Sequence, residues 1–240
     1  RNVKMKKVLL FFVLLPALVL SSCDPELPDE ESFKDERDGN IYQTVKFGSQ
    51  LWMAENLAYL PAVSPADVGA DSEKHYYVYD YEGTSVDDAK ALPNYATYGV
   101  LYNREAALSA CPAGWHLPSD LEWSVLTDYL EENGYGFEGD GSDIAKSMAS
   151  TSEWTSSDFE GAPGNARTTN NSSGFSALPG GYRSQYNEFA GLTDYAYFWS
   201  STEANGSYGL LRSIFYGGSM VDRMNGAFKG GFSVRCLRDE

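Results

Sequence analysis

Residues 103–123 read NREAALSACPAGWHLPSDLEW, and this stretch decides the fold. Asn103 is of the type that caps a helix, because its side-chain oxygen can accept an orphan backbone N–H. Residues 104–111 then favour a helix, and Pro112 and Gly114 stop it. Ser119 or Asp120 caps a second helix, whose apolar stripe is Leu121, Val125, Leu126, Tyr129 and Leu130 and which Gly134 ends. A third, short helix fits residues 144–149.

Outward from this pair of helices the pattern is one of strands and turns. Residues 40–53 predict a hairpin: Ile41, Thr44, Val45 and Phe47 are strand formers, Gly48-Ser49 turns, and Leu51-Trp52-Met53 returns. Residues 60–73 form an irregular insertion. Residues 75–81 (HYYVYDY) predict a strand with His75, Tyr77, Tyr79 and Tyr81 on one face. Beyond Trp154 the expected strands are 199–203, 209–216 and 232–236, separated by glycine turns, with Leu178–Pro179 a candidate cis bond. Early helices followed by short strands define an α+β domain.

The first residues carry a different kind of signal. Arg1, Lys4, Lys6 and Lys7 precede the apolar run VLLFFVLLPALVL, residues 8–20. That run is short of the roughly 20 residues a spanning helix needs, and it contains a proline. A basic start, a short apolar middle and small residues at the end predict a cleaved secretory leader over residues 1–22. Leu20-Ser-Ser-Cys23 resembles the bacterial lipobox, which implies that the Cys23 thiol is diacylated and becomes the new N-terminus. Acyl chains anchor at about 0.8 kcal/mol per buried methylene, so two or more hold the chain on a membrane. Residues 23–37 open with DPELPDEE after the cysteine, an acid-rich, proline-broken composition expected of a solvated tether. The acidic patch also resembles the surface-export signal of some Bacteroidetes-type lipoproteins.

Removing the leader takes away four basic residues and no acid, moving the formal charge from −16 to −20. Such a surface repels phosphate backbones, so nucleic acid is excluded as a partner. About 200 residues remain, enough for one sizeable core. Seventeen tyrosines and five tryptophans favour a strand-containing extracellular domain over a helical bundle. Of three cysteines, lipidation consumes Cys23, and Cys111 and Cys236 are left to form one disulfide or to stay as a reduced, buried pair.

Several segments are distinctive in combination: DGNIYQTVKF (38–47), WMAENL (52–57), CPAGWHLPS (111–119), SGFSALPGGYR (173–183), WSSTE (199–203) and GFSVRCLR (231–238). Together they resemble the Fibrobacter succinogenes major paralogous domain family, found on secreted and lipid-anchored bacterial proteins, and the resemblance runs over nearly the whole mature chain. A helix ending in cysteine, then Gly-x-His-Leu-x-Ser, a second helix and a last strand ending in cysteine are also similar to a C-type-lectin-like domain. That similarity implies a Cys111–Cys236 bridge. It does not extend to the calcium-dependent sugar site, whose ligands are clustered oxygens. Leu92-Pro93-Asn94 lacks the acid, and Trp154-Thr155-Ser156 lacks the Asn-Asp pair.

Hydrolase chemistry finds little support. There are two histidines, His75 and His116, and no Gly-x-Ser-x-Gly elbow. His116, between Trp115 and Leu117, reads as a packed residue. A related fold carries the sulfatase-modifying oxidase, but that chemistry needs a thiol pair that a bridge would consume. Asp140-Gly-Ser-Asp143 fails the EF-hand pattern and reads as a turn. Flat tyrosine rings can stack on pyranose faces, and Tyr77, Tyr79 and Tyr81, or Tyr182, Tyr186, Tyr195 and Tyr197, are the candidate platforms. Arg183 and Arg235 are expected to brace loops, since a guanidinium offers five fixed donors to backbone carbonyls.

The expectation is a surface-displayed lipoprotein anchored to the outer membrane, with a C-type-lectin-like α+β domain over residues 38–240. It is expected to be a non-catalytic binding or adhesion module for glycans, without cofactor or metal. The alternative is a structural or protein-interaction subunit of a cell-surface assembly.

Overall fold

The hairpin expected over residues 40–53 forms the centre of the main sheet: β2 (Ile41–Phe47) pairs with β3 (Gln50–Met53), Thr44 facing Met53 and Phe47 facing Gln50. Gly48 turns it with φ of 59°, a backbone conformation that costs glycine nothing. The computed structural model describes residues 32–139 and 141–239. The leader, Cys23 and tether residues 24–31 lie outside the described residues.

In chain order the elements are β1 (Ser32–Lys34), β2, β3, β4 (Tyr76–Tyr77), α1 (Val86–Lys90), α2 (Pro93–Tyr98), β5 (Leu101–Tyr102), α3 (Arg104–Ala107), β6 (Trp115–His116) and α4 (Asp120–Glu132). Then follow α5 (Ala145–Met148), β7 (Gly180–Arg183), β8 (Phe189–Leu192), β9 (Tyr195–Asn205), β10 (Tyr208–Phe215), β11 (Val221–Ala227) and β12 (Leu237–Arg238). The main sheet has the order β1-β2-β3-β12-β6, a second has β11-β10-β9, and β4–β5 and β7–β8 are two-stranded ribbons. Paired strands run antiparallel throughout. The α+β class expected from the sequence is what the domain has.

The core lies on both faces of the main sheet. Leu51 and Met53 point into one cluster with Val100, Trp115, Trp199 and Val234, while Trp52 points into the other with Trp123, Leu126, Phe175 and Phe198. Period-two alternation along β3 thus feeds two cores from four residues. The indole rings of Trp52 and Trp123 lie 4.6 Å apart, edged by Phe175 and Phe198. Such pairs add about 0.5–1.5 kcal/mol each beyond the area they bury.

α4 is the helix the sequence announced most clearly. Ser119 Oγ accepts from the Glu122 N–H, and the Ser119 N–H donates back to Glu122 Oε2, a complete capping box. Its buried face is Trp123, Leu126 and Leu130, while Leu121 is 73% exposed and Val125 is exposed. The expected stripe is therefore rotated. Asp120, at the helix start, is held by Arg212 of β10 and Arg223 of β11, and that pairing turns Leu121 to solvent and Trp123 inward.

Other departures have local causes. The strand expected over residues 75–81 shortens to Tyr76–Tyr77, because Asp80 takes φ of 62° and turns the chain. Residues 232–236 make bridges and scattered backbone hydrogen bonds instead of a strand, and pairing resumes at Leu237–Arg238. α1 and α2, absent from the sequence reading, are five and six residues long, too short to show a periodic stripe. The Leu178–Pro179 bond is trans. Ser32–Lys34, inside the segment read as tether, pairs with β2, and Phe33 stacks on Trp115 at 4.3 Å. Asp35 is buried there against Arg37, whose Nη1 also reaches the Cys111 carbonyl.

Cys111 and Cys236 are joined, with Cα atoms 5.8 Å apart. The bridge ties the turn after α3 to the residue before β12 and closes a separation of 125 residues. In the chain-entropy account such a loop contributes about 4–5 kcal/mol by restricting the unfolded chain. The double substitution Cys111→Ser and Cys236→Ser is therefore expected to lower the free energy of urea unfolding by about that amount. An unchanged denaturation midpoint would show that the bridge does not constrain the unfolded state.

Candidate functional site

The β7–β8 hairpin carries the site. Its tip, residues 184–188, is closed by Ser184 N–H donating to the Glu188 carbonyl, with Ser184 Oγ accepting from Tyr186 N–H and Asn187 at φ of 72°. That geometry leaves Tyr186 77% exposed. Beneath the tip the fully buried Arg183 spends its fork on neutral partners. Nε and Nη2 donate to the Ala66 carbonyl, Nη1 to the Lys229 carbonyl, and Nη2 also to Asn187 Oδ1. One side chain thus pins the hairpin tip, the 60–75 loop and the turn before Gly230. Burial disfavours its charge, and Arg183 titrates below the ordinary arginine range.

Against this tip β10 and β11 complete a cleft of about 230 Å³ lined by Tyr182, Ser184, Gln185, Tyr186, Tyr208 and Asn225, with Phe232 at its floor. Gly226 and Gly230 let the backbone close on that floor. A Cβ at either would come within 3 Å of the Phe232 ring. The cleft offers ring faces together with two side-chain amides and a hydroxyl, each both donor and acceptor. A pyranose needs that combination: an apolar face to stack and hydroxyls to pair.

The expected tyrosines divide between two fates. Tyr182 lines the cleft and continues into a packed row, edge-on to Tyr197 at 5.3 Å, with Tyr197 stacked on Tyr195 and Tyr195 on Phe215 at 4.8 Å. Burial pushes the Tyr197 hydroxyl far up, as befits a ring used in packing. Tyr77, Tyr79 and Tyr81 do not come together. Tyr77 is fully buried under Arg183, its hydroxyl donating to the Val68 carbonyl. Tyr79 packs on Phe189, and Tyr81 is tied through its hydroxyl to the Ser85 backbone. Gln185, Tyr208 and Asn225 join the cleft from three distant segments that no sequence motif links.

The two histidines have structural company. His75 Nδ1 meets Ser64 Oγ at 3.1 Å, and its buried Nε2 has no hydrogen-bond partner among the described residues, with Glu73 4.0 Å away. Burial holds it below its ordinary value, Glu73 opposing and Arg183 assisting. His116 bridges Asp239 Oδ1 at 2.7 Å and Glu122 Oε1 at 3.0 Å. Burial opposes its charge, but the bonds to Asp239 and Glu122 prevail and raise it. Among the described residues no three His, Cys, Asp or Glu side chains are grouped to hold a metal ion, and no helix is long and apolar enough to cross a membrane.

Fold and cleft together define a disulfide-braced α+β domain whose loops, held by buried cations, present an aromatic and amide surface. The chain belongs to the Fibrobacter succinogenes major domain family, whose profile matches residues 45–238. No curated protein and no solved structure matches it.

The His116 bridge gives a pH signature. A folded value above the ordinary 6.5 means that its stabilisation is fully present below about pH 6.5 and lost as pH rises through the raised value. His75, held below 6.5, acts oppositely and loses stability on acidification. The difference between the wild-type chain and His116→Gln isolates the first. It should be larger at about pH 6 than at about pH 8 when both are unfolded in urea. A pH-independent difference would mean that the imidazole does not gain a proton on folding.

Proposed function

We propose that this chain is a surface-displayed, lipid-anchored, non-catalytic binding module whose ligand is a glycan, taken up in the cleft of Tyr182, Gln185, Tyr186, Tyr208 and Asn225. The observation that carries the reading is Tyr186, a large aromatic ring left exposed at a tip held rigid by Arg183, beside two amides. Stacking on such a ring needs little ordering, because the tip is already fixed. A C-type-lectin-like fold is the finer form of the proposal. Its support is the bridge from the turn after α3 to the residue before the last strand, and the calcium ligands of that fold are not needed for a stacking site. The anchor rests on Cys23 and its flanks, and outer-membrane surface display on the acidic residues after it. The competing reading, a protein-interaction subunit of a surface assembly, has its own support. β11 is an edge strand, and Met220 and Met224 beside and within it are exposed.

Two experiments bear on these readings. On a glycan array, retention of the full chain should survive EDTA and weaken about tenfold in Tyr186→Ala, the size of one lost stacking contact. Absence of retention on every glycan, with a surface protein captured through β11 instead, would sink the glycan reading. Cys23→Ser should move the protein from the membrane to the soluble fraction, and unchanged partitioning would refute the anchor.

A further inference from the structure

A second cavity, of about 600 Å³, lies between residues 151–156 and 164–168 and shares no residue with the cleft above. Its walls carry Thr151, Ser152, Ser156 and Thr168 hydroxyls, one carboxylate, Glu153, and one guanidinium, Arg167. Arg167 is fixed through Nη1, which donates to the Trp154 carbonyl, and no carboxylate of the described residues lies within ion-pair distance of it. Its other donors are left for a ligand.

The loop that forms one wall is held from beneath by a second cation. Lys146 is buried, and its ammonium donates to the Asn165 carbonyl and to Asn170 Oδ1, while Asn170 Nδ2 holds the Ser150 and Pro163 carbonyls. Glu153 and Ala166, both lining the cavity, take φ of 71° and 42°, left-handed conformations that turn the chain at each. Glu153 is steadied by the Tyr98 hydroxyl at 3.2 Å. In a chain of formal charge −16, the charged lining of this cavity is balanced, one guanidinium against one carboxylate, with the buried Lys146 ammonium beneath the wall.

We propose that this cavity is a second ligand site, specific for a sugar acid. The Arg167 fork would take the planar ligand carboxylate through two parallel N–H bonds, a geometry that suits carboxylates and costs the preformed guanidinium little. The wall hydroxyls and Glu153 pair with the ring hydroxyls, Glu153 as acceptor only. Glu153 also selects against a compact dianion such as phosphate, whose second negative charge would meet it inside the same cavity, whereas the further carboxylates of a uronate chain sit on neighbouring rings. The site does not depend on the Tyr186 cleft, and either can exist without the other.

The test is calorimetric titration of the full chain, and of Tyr186→Ala, with a galacturonic acid trimer, the neutral galactose trimer of the same linkage, and inorganic phosphate. The uronate trimer should bind both proteins equally, and in Tyr186→Ala the neutral trimer should bind about tenfold more weakly or not at all. Arg167→Gln should weaken uronate binding by about tenfold or more. Thr168→Asp, at an exposed position that leaves the Trp154 bond intact, should do the same through charge, with thermal unfolding unchanged. Equal binding of the two trimers to Tyr186→Ala, displacement by equimolar phosphate, no uronate binding, or its loss in Tyr186→Ala would each overturn the proposal.

Discussion

Arg235 is fully buried, and among the described residues no carboxylate lies within ion-pair distance of its guanidinium. Taking a cation out of water costs several kcal/mol unless its donors are met. Here they are met by neutral oxygens: Asn56 Oδ1 accepts from Nε, the Met53 and Phe175 carbonyls from Nη1, and the Ser176 carbonyl from Nη2. Phe175 and Phe198 lie under its face. Burial lowers its titration to about 9, which still leaves it charged at neutral pH. The charge therefore requires two loops, after β3 and before β7, to hold their carbonyls in place around the last segment of chain. That segment is also where Cys236 is bridged and where Val234 and Leu237 enter the two cores.

The same device recurs in several other stretches that run without helix or sheet. Arg183 gathers the 60–75 loop and the β7–β8 tip, and Lys146 with Asn170 gathers residues 163–170. Asn103 does so as well, capping α3 through Oδ1 while its amide holds the Ala70 and Glu73 carbonyls. Buried loops would otherwise strand backbone polar groups at about 1–3 kcal/mol each. A few central side chains with fixed geometry substitute for the ladder that strands would supply.

This explains which parts of the fold were legible. The β2–β3 hairpin, the Ser119 cap of α4, the Asn103 cap of α3 and the short α5 depend on residues within a few positions of one another, and local patterning shows them. The rotation of α4 depends on Arg212 and Arg223, about ninety and a hundred residues away, so Leu121 and Val125 were misplaced. Phe33 and Asp35 look like tether until Trp115 and Arg37 are seen against them. The aromatic run at residues 75–81 has strand chemistry, but Arg183 claims the Tyr77 face and Asp80 turns the chain. For the site, the sequence offers Tyr186 as one of several candidate stacking rings, whereas the hairpin that exposes it and its amide neighbours depend on the closure of β10–β11 on β7–β8.

Both cavities follow from this arrangement. Each is walled by a loop whose backbone is fixed from inside by a cation bonded to carbonyls, so the outward side chains are not needed to hold the loop. Tyr186, Gln185, Ser152 and Thr168 can differ without disturbing Arg183 or Lys146, whereas a change at either cation would release several carbonyls at once. Ligand preference and stability therefore reside in different residues of the same loop. Rigid walls also lower the ordering cost of binding, so flat and polar ligands can be held by few contacts. A scaffold that fixes its loops from within in this way leaves the surface free to change while the two cores stay packed.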